Sequence, residues 1–133
     1  MNHAHYFKRN MVYRIESDSV SAIDVQESNS TIPLEPWMGV IVTLADGQHT
    51  IAELIQHMAR QYPDGAPENM VDTIESIITR LIKSNIIELT PRPTMLPYYL
   101  RVAFDDQDPE EATKKMIQDG FIQLPGNKLT GPS

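Results

Sequence analysis

The rhythm of hydrophobic positions changes along this chain. Met11 to Glu16 and Val20 to Val25 are short extended runs carrying valine and isoleucine, with the turn residues Ser17-Asp18-Ser19 between them. That pair predicts a β-hairpin. Ser28-Asn29-Ser30 predicts a second turn, and Thr31 to Leu34 a third short strand. Pro33 has no N–H to give to a ladder, so this strand should be short or lie at a sheet edge.

Helical spacing takes over at Pro36, a residue suited to a first helical position. Trp37, Val40, Ile41 and Leu44 recur every three or four residues, and Asp46-Gly47 then predicts a helix end with a left-handed glycine cap. Thr50 with Glu53 forms a capping-box pattern and opens a helix over Thr50 to Tyr62. Pro63-Asp64-Gly65 ends it. A further helix is expected over Glu68 to Ser84, capped by Asn85 and followed by a short strand at Ile86 to Leu89. Prolines from Pro91 to Pro97 mark a boundary. Beyond them the pattern predicts a strand over Tyr98 to Phe104, a helix over 109–119 stopped at Gly120, and a strand over Phe121 to Leu124. Gly126 to Ser133 is expected to fray. The resulting division is a flexible N-terminus (1–10), a domain (11–90) and a C-terminal α/β extension (91–133).

The two central helices differ when their residues are set at helical intervals around a wheel. On the first, Leu54, Met58, Ile51, Tyr62 and Ile55 span about 100°, enough for one-sided burial. On the second, the arc from Ile77 through Met70, Leu81, Ile74, Ile78 and Val71 to Ile82 spans about 140°. Either that helix is the central one, packed on several neighbours, or its edge near Val71, Ile78 and Ile82 stays open as a groove wall.

Composition narrows the functions. A chain of 133 residues that is 41% hydrophobic can bury a core without staples. Absence of cysteine excludes disulfides and thiolate chemistry. No signal peptide or membrane-length apolar run is visible, so a soluble cytoplasmic protein is expected. The net charge of −7 disfavours a general grip on nucleic acid. Lys8, Arg9 and Arg14 precede the first acid, while Asp105 to Asp119 holds six acids against Lys114 and Lys115. These ends are two solvated surfaces, or they meet within one molecule or across a homodimer.

The ordered set resembles the PqqD family, the peptide-binding proteins of pyrroloquinoline quinone biosynthesis, whose domain also serves as the RiPP recognition element of peptide-modifying systems. The resemblance rests on a hairpin and a strand ending at Leu34, then Ile41-Val42-Thr43-Leu44-Ala45-Asp46-Gly47. Thr50-Ile51-Ala52-Glu53-Leu54-Ile55, Tyr62-Pro63 and a long apolar helix closing on Ile86-Ile87 follow. It covers Met11 to Thr90, roughly three fifths of the chain. It implies an α+β, winged-helix-like fold, an N-terminal three-stranded antiparallel sheet packed on three helices. It also implies that a precursor peptide's leader binds between the third strand and third helix, for presentation to a modifying enzyme, often a radical-SAM one. Carried over by position, the strand side is Thr31, Ile32 and Leu34. The helix side is Val71, Ile74, Glu75, Ile78 and Ile82. Two departures are Pro33 within the pairing strand and the long extension after Thr90.

Catalytic chemistry is not expected. His49 lies in the turn before Thr50 and His57 off the apolar stripe of its helix, both as surface residues, and Met1-Asn2-His3 offers only an incidental nitrogen site for Cu(II) or Ni(II). Asp105, Asp106, Asp108, Glu110 and Glu111 lack the spacing of a calcium loop and suit a helix start. No phosphate loop, nucleophile set or zinc spacing occurs. The expectation is a non-enzymatic peptide-binding module without cofactor or metal. A winged-helix DNA-binding regulator and an oligomeric scaffold or accessory subunit are the alternatives. For a DNA reader, Arg80 and Lys83 on the helix from Glu68 are opposed by Glu68, Asp72 and Glu75.

Overall fold

The expected hairpin forms as β2 (Val12–Ile15) and β3 (Val20–Asp24), and the third strand joins it as β4 (Ser30–Leu34). The order is β2-β3-β4, antiparallel throughout. Two residues, Ser17 and Asp18, make the hairpin tip. Glu16 and Ser19 close it by exchanging backbone hydrogen bonds of 2.8 and 3.4 Å. Side chains alternate across this sheet. Tyr13 and Ala22 enter the main core, with Ile32 and Leu34 packed against it, while Val12 and Ile23 enter a second cluster on the opposite face.

The computed structural model describes residues 1–122, an α+β protein with two small antiparallel three-stranded sheets and five helices. The second sheet corrects the sequence reading. Residues 1–10 were expected to be a flexible end, yet β1 (Tyr6–Arg9) is the central strand between β5 (Asp46–Thr50) and β6 (Ile87–Thr90). Phe7 and Arg9 alternate into the interior, and the arginine disguises that apolar-facing pattern as a basic tail. β5 is likewise unforeseen. Ala45, not Gly47, closes the preceding helix. Gly47, at φ +79°, serves an irregular stretch where β5 carries more residues than β1 opposite it. A Cβ there would sit 2.4 Å from the Thr94 carbonyl oxygen, so the position demands glycine twice over.

The helices follow their sequence signals closely. α1 (Pro36–Leu44) starts on its proline. α2 (Ile51–Ala59) carries the full Thr50–Glu53 capping box and stops three residues short of Tyr62, which lies in the following turn. α3 (Met70–Lys83) begins after a turn closed by Met70 N–H on the Pro67 carbonyl. At its end Asn85 adopts φ +60°. Ile86 N–H bonds the Leu81 carbonyl and Asn85 N–H bonds the Ile82 carbonyl, a Schellman motif. No described helix is long and apolar enough to cross a membrane.

The C-terminal extension is helical where a strand was expected. Tyr98 to Phe104 forms α4 (Tyr98–Arg101) and then a 3₁₀ turn (Phe104–Asp106). Pro97 fixes the entry, and its carbonyl accepts the Leu100 and Arg101 amides. Tyr99, Leu100 and Ala103 are buried at helical, not alternating, spacing. α5 (Pro109–Gln118) is capped by Asp108 and ends at Gly120, φ +75°, in a second Schellman pair to Met116 and Ile117. Phe121 and Ile122 belong to that turn and not to the expected strand. The rest of that strand and the frayed end at Gly126 to Ser133 lie outside the described residues. Leu96, Tyr99, Leu100, Ala112 and Met116 pack onto Val12 and Ile23, so β2 and β3 are covered on both faces.

Arg9 ties this extension to the core. It is 1% exposed, and its guanidinium donates to the carbonyls of Leu100, Val42, Thr43 and Arg101 at 2.8–3.3 Å. Its face lies 4.0 Å from the Tyr13 ring centre. Burial pulls the Arg9 pKa down, opposed by Tyr13 and Asp46. The basic start and acidic end also meet at the surface, where Arg14 Nε lies 3.1 Å from Asp105 Oδ2.

Candidate functional site

Among the described residues β4 has a neighbour on one side only. Which of its backbone groups face outward follows from the hairpin tip. Hydrogen-bonded and non-hydrogen-bonded pairs alternate along an antiparallel ladder. Glu16 and Ser19 are a hydrogen-bonded pair, so Arg14↔Ser21 and Val12↔Ile23 are bonded too. Val20, Ala22 and Asp24 therefore turn their amides and carbonyls toward β4, where they meet Leu34, Ile32 and Ser30. Thr31 and Pro33 occupy the non-bonded pairs, and their main-chain groups point away from the sheet. Pro33 thus disturbs no bond within the sheet. It removes one donor from the outer edge, which offers the Thr31 N–H and C=O and the Pro33 C=O.

Beside that edge runs an open depression. One hollow of about 480 Å³ lies between Ile32, Pro33 and Leu34 on the strand and Arg80, Leu81 and Lys83 on α3 with Ser84 at its C-cap, and Met38 also lines it. A second, about 510 Å³, continues along α1 and α3 between Trp37, Met38, Thr73, Ile77 and Arg80. Trp37 is fixed by an edge-on contact with Tyr62, ring centres 6.4 Å apart. Glu35 is shared by both hollows and lies 3.7 Å from Arg80 as an exposed pair. A third hollow of about 650 Å³ sits under the hairpin tip, between Ile15, Val20, Val40, Leu44 and His57.

The strand residues expected from sequence all lie on β4. Ile32 and Leu34 are half-buried toward the helices, and Thr31 is exposed. On the helix side the expected residues separate. Ile74 and Ile78 are 0% exposed and belong to the core, so they line no groove. Val71 is half-buried and Ile82 is 37% exposed, but neither shares a hollow with β4. Glu75 holds the N-terminal segment instead, with its Oε2 2.6 Å from His3 Nε2. That hydrogen bond, with the charges of the N-terminus and of His3, keeps the Glu75 carboxyl below the ordinary glutamate range against opposing partial burial.

The wheel accounts for this separation. With Met70 at the origin, the core residues Met70, Leu81, Ile74 and Ile78 span about 80°. Val71, Ile82 and Glu75 lie just beyond one border; Ile77, Ser84, Thr73 and Arg80 lie beyond the other, and that second border faces β4. Sequence located both borders of the apolar arc, with Ile77 at one end. It carried no signal to say which border meets the strand, because that depends on where α1 places Met38 and Trp37.

Elsewhere the chemistry is structural. Tyr99 donates to Asp119 Oδ2 at 2.8 Å, and burial first, then this bond, push its pKa well above the ordinary phenol value. Among the described residues no three His, Cys, Asp or Glu side chains gather as a metal-holding group. No family model, no curated protein and no solved structure matches this chain.

Proposed function

We propose that this chain is a non-catalytic, cytoplasmic peptide-binding module of winged-helix-like architecture. It takes the leader of a ribosomally made precursor peptide as an added strand outside β4 and presents the remainder to a modifying enzyme, for example of the radical-SAM type. The single observation that carries the reading is the edge of β4, unpaired among the described residues, beside an open hollow. Thr31 and Pro33 give a guest strand main-chain partners, while Met38, Ile77 and Trp37 offer apolar contact to its side chains. The order β5, α2, α3, β6 supports the winged-helix-like architecture. The helix side of the site is therefore Thr73, Ile77, Arg80 and Ser84, displaced from the residues that the family resemblance implied.

Trp37, the sole tryptophan, lines this depression and reports on it. Titration with short extended peptides encoded beside the gene should change its fluorescence and shift the amides of Thr31, Ile32, Ile77 and Arg80. Peptides that bind without moving those amides would sink the reading. Salt-dependent binding of duplex DNA through α3 would replace it with a regulator.

A further inference from the structure

We infer that the guest strand is acidic, carrying carboxylates on the side chains that face α3. This rests on the peptide-binding reading above and adds the chemical class of the peptide. A strand added outside β4 continues the alternation of the sheet. Its side chains point either toward α3, as Ile32 and Leu34 do, or toward the opposite face, as Thr31 and Pro33 do. On the α3 side they enter the hollow lined by Arg80, Lys83, Ser84 and Met38.

Those two cations line the hollow beside β4 on a chain of net charge −7. Lys8, Arg14 and Lys115 each face a carboxylate, Arg9 is buried, and Arg60, Arg92, Arg101 and Lys114, though without an ion pair among the described residues, do not line that hollow. Among the described residues Lys83 has no carboxylate within ion-pair distance, and the one carboxylate at Arg80 is that of Glu35, 76% exposed and 3.7 Å away, beside a 3.9 Å contact to Met38 Sδ. Basic residues on a last helical turn also answer the partial negative charge of its free carbonyls. The Schellman bonds of Asn85 and Ile86 already satisfy two of those carbonyls, and helix capping alone does not require both cations to line the hollow beside β4. Glu35 then acts as the resident competitor, which an incoming carboxylate displaces from Arg80.

Selection from a displayed library of short random peptides on the full chain tests this, with each binder located by amide shifts. Binders that perturb Thr31 and Ile32 should be enriched in Asp or Glu at alternate positions, and their affinity should fall as salt rises. The exposed double substitution Arg80→Glu with Lys83→Glu should weaken them about tenfold, whereas Glu35→Gln should strengthen them about twofold. Opposite signs from two exposed sites separate recognition from loss of folding. Binders at β4 that are neutral or basic, or that ignore the double reversal, would overturn the acidic preference and leave peptide binding standing. A library with no binder at β4 would remove the peptide-binding reading and this inference together.

Discussion

Arg9 is a charged residue placed where a charge is costly, and its surroundings explain why it is tolerated. The guanidinium meets four carbonyl oxygens, two of them buried, and a ring face. Its planar fork joins α1 to α4, which are far apart in sequence, and a lysine has no matching set of donors. Arg9→Met would keep length and remove every donor, leaving the Leu100 carbonyl buried without a partner and the Val42 carbonyl with the Ala45 amide alone. The expected loss is about 3 kcal/mol in urea unfolding. A loss below about 1 kcal/mol would show that the carbonyls find water instead. Gly47 and Pro33 are the other residues whose chemistry, one lacking a side chain and one lacking a donor, decides local geometry.

At the scale of elements, most of the fold was legible. The hairpin, β4, α1, α2, α3, β6 and α5 all carried local signals: alternation, caps and left-handed residues at Asn85 and Gly120. Three things were not legible, each for a physical reason. β1 is short and half polar, and its burial is set by distant partners. β5 contains Asp46-Gly47, whose turn chemistry outweighs the pairing that β1 imposes. The stretch Tyr98 to Phe104 has the tyrosine-and-valine composition of a strand, but its first turn, α4, is wound by Pro97 and the need to bury Tyr99 and Leu100 together. The site was half legible, since strand residues declare an edge locally while the groove-facing border of α3 is fixed only by packing.

The N-terminal segment is itself an element with a measurable latch. His3 and His5 carbonyls accept the Ala52 and Ile51 amides, and the His3 ring holds Glu75 on α3. The folded Glu75 pKa is depressed, so the latch is fully present above the ordinary glutamate value of about 4.3 and is lost as pH falls through the lower folded value. Amide shifts of Ile51 and Ala52 should move in that acidic window. They should stay flat there in Glu75→Gln; an unchanged titration in that variant would assign the transition to another group.

On the whole-molecule scale the β2-β3-β4 sheet is the middle layer, with the main core on one face and the C-terminal helices on the other. That arrangement makes the extension an integral part of the protein. It also leaves β4 as an edge at the surface, and an exposed edge invites other copies as readily as a guest. Pro33 bears on this through counting. Two copies meeting edge to edge would bring two prolines, and the contact would lack two donors. A guest strand without proline lacks one. The missing N–H is therefore a bias against self-assembly that only halves in cost when a foreign chain is admitted. Pro33→Val restores the donor on a strand-forming residue, so sedimentation should show concentration-dependent dimers that the parent chain does not form at equal concentration. An unchanged monomer would place the barrier to self-pairing elsewhere on the edge.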